Sequence, residues 1–308
     1  MRVFVTGATG FIGSVVVQEL LKAGHQVLGL SRSDAGAKSL AAAGAEVHPG
    51  SLEDLDSLRS GAAASDGVIH LAFNHDAFGG DFSKFVANCE TDRQAVEAIG
   101  SVLAGSDRPL IVTSGTGLAN TVPNQPALED NPIINSTVIP RAASEEAADS
   151  LAANGVNVSV VRLPQVHDPV KQGLVTYAIV VAREKGVSPY VGDGLNRWPA
   201  AHVQDTARLY RLALEKAEAG AKYHAVAEQG VALRDIAEVI GKGLKVPAVS
   251  ISQEEAPAHF GWLAMFIGRD SPASSALTQK RLGWQPTGPG LIADLEQMNY
   301  SRDRKSVV

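Results

Sequence analysis

Three glycines spaced by three, Gly7, Gly10 and Gly13, follow an apolar run of Val3, Phe4 and Val5 and precede residues 14–23, which read as a helix stopped by Gly24. A strand, a glycine-rich turn and a helix in that order present bare backbone N–H groups and the positive helix end to a phosphate. Glycine is needed there because a Cβ would hold a pyrophosphate away or keep the helix off the strand. Dinucleotide binding is the expected chemistry. A second apolar run, residues 26–31, ends in Ser31-Arg32-Ser33, where a dinucleotide-binding fold meets the adenine ribose. An acid at that point would accept from both ribose hydroxyls and favour NAD. A guanidinium flanked by two hydroxyls suits a 2'-phosphate instead, so NADP is the expected cofactor and NAD the less favoured one.

Four side chains are candidates for work on a substrate. Ser114 stands with Thr113 and Thr116 at the tip of the apolar run 109–114, where small hydroxyls are expected to face the crevice and Ser114 to polarise a carbonyl. His167 leaves the run 156–163 on the segment Gln165-Val166-His167-Asp168, and an unperturbed pKa of about 6.5 lets a histidine trade protons at cellular pH. Lys171 and Tyr177 follow and would serve only if their segment folds back over the nicotinamide. His70, inside the apolar strand 66–72, reads as a packed core histidine with one hydrogen bond, whereas Asn74, His75 and Asp76 lie just beyond it at the carboxyl end. Trp198 reads as a substrate wall or a packed aromatic.

The elements that must position these groups alternate strand and helix six times up to residue 163. That pattern predicts an α/β fold, an open Rossmann-type doubly wound parallel sheet with right-handed crossovers. Residues 1–164 are expected to form this nucleotide-binding domain. Residues 203–227 return to it, and 222–226 add a strand. Residues 165–202 and 228–308 form a smaller α/β substrate region with helices at 170–185, 233–243 and 252–267, the last opened by a Ser252/Glu255 capping box. Residues 81–104 read as one long helix, Asp34 as the cap of the helix through Ala43, and the tail from Ser301 as frayed.

The chain has 308 residues and a formal charge of -6, which argues against a nucleic-acid partner and for a small-molecule one. Cys89 is the only cysteine, so neither an internal disulfide nor a zinc cluster is expected, and no metal site is assigned. The first strand begins at Arg2 and the longest apolar runs are short, so neither a signal peptide nor a membrane span is expected, and the cytoplasm is the expected location.

Read together, these residues resemble the extended branch of the short-chain dehydrogenase/reductase superfamily, the branch of NAD-dependent epimerases and dehydratases. Thr6 to Gly13 is similar to its T-G-x-x-G-x-x-G loop, 66–72 to its D-x-V-x-H-L-A strand, and Asn88 with Thr91 to its N-x-x-x-T element. Thr113-Ser114 resembles the tip bearing its serine, Arg162-Leu163-Pro164 with Val166 its R-x-P-x-x-V segment, His202 to Asp205 its H-V-x-D start, and Leu282 to Pro286 its L-G-W-x-P. The resemblance implies a cofactor set of Gly7, Thr9, Gly10, Phe11, Ile12, Gly13, Ser31, Arg32, Ser33, Ser51, Leu52, Leu71, Ala72, Phe73, Asn88, Pro164 and Val166. It also allows a homodimer. The departure is at the chemistry, where the family carries Y-x-x-x-K: Arg141 stands at the tyrosine and Glu145 at the lysine. Four apart on one helical face, these two are expected to form a surface ion pair contributing about 0.5 kcal/mol. The implied activity is NADP-dependent reduction of a carbonyl or related double bond with an atypical proton source. The alternatives are a non-catalytic NADP-binding sensor or partner protein, and an epimerase or lyase that retains its cofactor.

Overall fold

The structure, a computed structural model, describes residues 1–78 and 81–301; the tail expected to fray lies mostly outside them. The first half alternates as β1 (Arg2–Thr6), α1 (Phe11–Lys22), β2 (Gln26–Ser31), α2 (Asp34–Ala43), β3 (Glu46–Pro49), α3 (Leu55–Ala63), β4 (Gly67–His70), α4 (Phe85–Leu103), β5 (Leu110–Gly115), α5 (Ala143–Ala153) and β6 (Val158–Leu163). Then come β7 (Gln165–His167), α6 (Val175–Lys185), β8 (Ser188–Val191), β9 (Arg197–His202), α7 (Val203–Lys216) and β10 (Lys222–His224). The chain ends through β11 (Glu228–Ala232), α8 (Leu233–Leu244), β12 (Ala248–Ile251), α9 (Ala256–Phe260), α10 (Ala264–Ile267), α11 (Ala276–Leu282) and α12 (Leu291–Gln297).

Seven strands pair in parallel in the order β10-β6-β5-β4-β1-β2-β3, a Rossmann-like sheet extended by β10 beside β6. Alternation along β1 shows how both faces are buried: Val3 and Val5 join α1 and α7 in one core, and Phe4 joins α3, α4 and α5 in the other. Strand order reverses between β1 and β4, and such a switch point opens a crevice at the carboxyl ends of the strands. A third core gathers residues of α6, β9, α8, α9 and α12. Around it, β7, β9 and β11 form one small sheet, and β8 pairs with β12 in another.

Several local expectations change. The helix expected from 170 starts only at Val175, because Asp168 turns the chain by accepting from the Val170 and Lys171 amides. The helix expected over 252–267 is broken at Gly261, whose φ of +57° ends α9 before α10 begins, although the Ser252/Glu255 capping box forms. Ser33 caps α2, not Asp34. The long helix starts at Phe85, after one tight turn at 82–84. No helix among the described residues is long and apolar enough to cross a membrane.

Candidate active site

The glycine turn is shaped by close backbone approach. Gly7 has φ +66°, and a Cβ on it would lie 2.8 Å from the Ala72 nitrogen; one on Gly13 would lie 1.9 Å from the Gly7 carbonyl oxygen. Gly10 N donates to Gly7 O at 2.9 Å and begins α1 with no side-chain cap. The amides of the first turn of α1, including Phe11 and Ile12, are therefore left for an outside acceptor beside Thr9. The residues fit a dinucleotide diphosphate. At the ribose end Arg32 is exposed, while Ser31 Oγ donates to Ser33 O at 2.9 Å and Ser33 Oγ caps Gly36 N, so these hydroxyls shape the turn. Leu52 is buried; Ser51 is half-buried and hydrogen-bonds Glu53, whose carboxyl Asn74 above all holds below the usual carboxylate range.

Thr6, at the end of β1, ties this cradle to the chemistry. Its hydroxyl accepts from the Leu71 and Ala72 amides, so its one hydrogen goes to His70 Nδ1, 2.9 Å away. His70 is thereby left with its proton on Nε2, which donates to Asp92 Oδ1 at 2.9 Å. The single hydrogen bond expected of His70 is in fact two. Asp92 Oδ2 also receives Arg141 Nη1 at 3.0 Å and the Ser144 hydroxyl, and Arg141 Nη2 donates to Thr113 O at 2.9 Å. Burial alone would raise the Asp92 carboxyl, but Arg141 and His70 hold it below its ordinary value. The guanidinium face lies 4.6 Å from the Phe73 ring centroid.

Glu145 faces elsewhere, which corrects the expected surface pair. It is fully buried, forms a forked bond with Arg162 (2.6 Å at the closest), accepts the Ser114 hydroxyl at 2.7 Å and lies 3.7 Å from Lys222. Burial pushes its carboxyl up, yet Arg162 and Lys222 keep it ionised. The hydroxyls expected to face the crevice are turned inward as well: Ser114 to Glu145, Thr113 to His70 O at 2.7 Å, and Thr116 to Leu163 O at 3.3 Å.

His167 is fully buried, its Nδ1 2.6 Å from Asp294 on α12 and its Nε2 without a partner, so it sits between β7 and α12 and not on a solvent-filled cleft. Burial pushes it below the usual histidine value despite Asp294. His224 is pushed down to about 4 by burial and by the Arg162 guanidinium. An unfolded histidine titrates near 6.5. Below that pH the unfolded chain takes up protons that the folded chain refuses, so stability falls as pH drops from about 6.5 toward 4, by up to about 1.4 kcal/mol per pH unit for one such group. Urea midpoints compared at about pH 7.5 and pH 5 are expected to show this loss, and His224→Gln to reduce it; a flat profile down to pH 5 would contradict the assignment.

Tyr177 joins a chain of rings that runs through Phe78, His75 and Phe73 to Arg141, and half-buried Lys171 acts on His75 by its charge. His75 lies 5.3 Å from Phe73 and 5.8 Å from Phe78, ring to ring, and its basicity is lowered by burial and by the charges of Arg141 and Lys171. Phe78 in turn contacts Trp262 at 5.1 Å and Tyr177 at 6.4 Å, and burial raises the Tyr177 phenol. Trp198, by contrast, is a core residue. Asn88 donates to Asn74 O and Asp76 and thus holds the loop after β4. Pro164 is half-buried, and Val166 is buried in β7. Sequence reading missed Asp92, Glu145 and Arg162 as partners. One signal was present: the position four after Asn88, where the N-x-x-x-T element has its threonine, is Asp92, and Thr91 falls one residue short.

A family model described as "NAD dependent epimerase/dehydratase family" matches residues 3–227. An uncharacterized protein of Schizosaccharomyces pombe is 48% identical over 301 residues, covering 97% of this chain and all of that protein. The 2-alkyl-3-oxoalkanoate reductase of Stenotrophomonas maltophilia is 28% identical over 228 residues, 72% of this chain and 67% of that one. Among solved structures, the dTDP-glucose 4,6-dehydratase DesIV of Streptomyces venezuelae, with NAD and TYD bound, superposes with a TM-score of 0.75 at 18% identity, over 96% of each chain.

Proposed function

Because the chain belongs to the NAD dependent epimerase/dehydratase family, we propose that it is an NADP-dependent oxidoreductase that reduces a carbonyl, or a related polarised double bond, of a small organic molecule. The observation that carries this reading is the uncapped, glycine-walled start of α1, with Arg32 exposed at the end of β2 where a 2'-phosphate would lie. A reduced nicotinamide dinucleotide bound by this cradle would supply hydride. The chain's own residues must then manage the negative charge that develops on the substrate oxygen. A guanidinium gives up no proton near neutrality, so Arg141 is no proton donor. It acts instead as a fixed positive charge, held by Asp92, Ser144 and the Thr113 carbonyl, and the alkoxide takes its proton from water. The similarity to the 2-alkyl-3-oxoalkanoate reductase of Stenotrophomonas maltophilia supports this reaction class.

The test is NADPH oxidation over a panel of ketones, aldehydes and enones. Turnover is expected, with kcat/KM reduced about 100-fold in Arg141→Gln, the size of losing one preorganised charge donor. Tight NADPH binding with no oxidation of any panel member would overturn the proposal. It would favour a second reading, a nucleotide-binding sensor, to which the inward-turned Ser114 hydroxyl also points.

A further inference from the structure

The crevice at the carboxyl ends of β4 and β5 carries more positive charge than its neighbours use. Arg141 commits its Nη1 hydrogens to Asp92 and Ser144 and one Nη2 hydrogen to Thr113 O. Among the described residues its Nε–H and second Nη2–H have no protein acceptor. Nε and Nη2 share one edge of the planar guanidinium, the edge that matches a pair of anionic oxygens. The Phe73 ring supports the guanidinium from one face, so the edge is fixed in direction. Asp92 neutralises one charge. Lys171 adds another; it has no ion-pair partner among the described residues and lies near enough to lower the basicity of His75. Next to these cations stand apolar rings, with Trp262 5.1 Å from both Phe78 and Tyr177.

We infer that the molecule bound here is a 2-oxo carboxylate with an apolar or aromatic body, its carbonyl oxygen and one carboxylate oxygen sharing the free edge of Arg141, its other carboxylate oxygen taken by Lys171 and its body by Phe78, Tyr177 and Trp262. The carbonyl rests on the reduction proposed above; the anion site rests on the charges alone. Two cations, one of them with a preset edge, favour an acid over a neutral analogue of the same shape.

The experiment uses the full chain saturated with NADP and a matched pair of inert probes, 3-phenylpropanoate and 3-phenylpropanamide, titrated calorimetrically. The acid is expected to bind at least about 10-fold more tightly than the amide. Lys171→Gln removes a half-exposed side chain with no ion-pair partner among the described residues and is expected to cut that preference about 5-fold while leaving the amide unchanged. Arg141→Gln is expected to cut it further, and Arg141→Lys, which keeps a cation on Asp92, checks that the loss is not one of folding. Equal binding of acid and amide, or an acid preference intact in Lys171→Gln, overturns the inference. In parallel, phenylpyruvate and its methyl ester are offered with NADPH. Acid-selective binding without reduction of either compound overturns the proposed reductase activity and leaves the anion site standing. Reduction of the ester as fast as the acid overturns the anion site and leaves the proposed reductase activity.

Discussion

Restoring the family's Y-x-x-x-K pair, by Arg141→Tyr together with Glu145→Lys, is expected to yield a poorly folded protein and no gain of activity. The lysine would enter a fully buried position against Arg162 and beside Lys222, where Glu145 now supplies the compensating charge. Removing one partner of a buried pair costs about 3–5 kcal/mol, and inserting a like charge adds to that. The tyrosine would leave Asp92, only 1% exposed, without the guanidinium that keeps it ionised. Such losses rival the whole stability of an ordinary domain. Urea unfolding read by circular dichroism is the measurement. Glu145→Gln, which keeps the shape and drops the charge, should lose less than the double variant. A double variant with an unshifted midpoint would show that the buried charges do not depend on one another.

The second large effect is expected at the cradle. Gly13→Ala places a methyl group 1.9 Å from the Gly7 carbonyl oxygen, and backbone, unlike the end of a flexible side chain, cannot step aside. The start of α1 must lift from β1, which moves the amides that would meet a diphosphate. NADPH affinity is expected to fall at least about 100-fold, roughly 2.7 kcal/mol, because both the contact and its direction are lost. Calorimetric titration measures the affinity, and the melting temperature without nucleotide separates a local loss from general unfolding. Unaltered affinity in a folded Gly13→Ala protein would remove the foundation of the proposed function.

The two sites differ in how visible they were before folding. The cradle is local: β1, Gly7, Gly10, Gly13 and α1 are contiguous, so spacing alone carries the geometry. The charged center is not. Arg141 and Asp92 are 49 positions apart, and Glu145 and Arg162 are 17 apart. Read along the helix, Arg141 and Glu145 look like partners of one another. In the folded protein Arg141 lies in the tight turn before α5 and reaches toward α4, while Glu145 enters the helix and reaches β6.

By itself, then, the sequence determined the α/β alternation, the parallel sheet with its added strand, expected over 222–226 and formed over 222–224, and the glycine turn, because strand and helix periodicity and close backbone approach act over a few residues. Only the tertiary structure decided which charges pair, that the Ser114 and Thr113 hydroxyls turn inward, that His167 is sealed away, and that Tyr177 joins the chain of rings leading to Arg141. The physical reason is that a buried charge is stable only beside a partner, and that partner is chosen by which strand ends and helix starts the sheet order brings together.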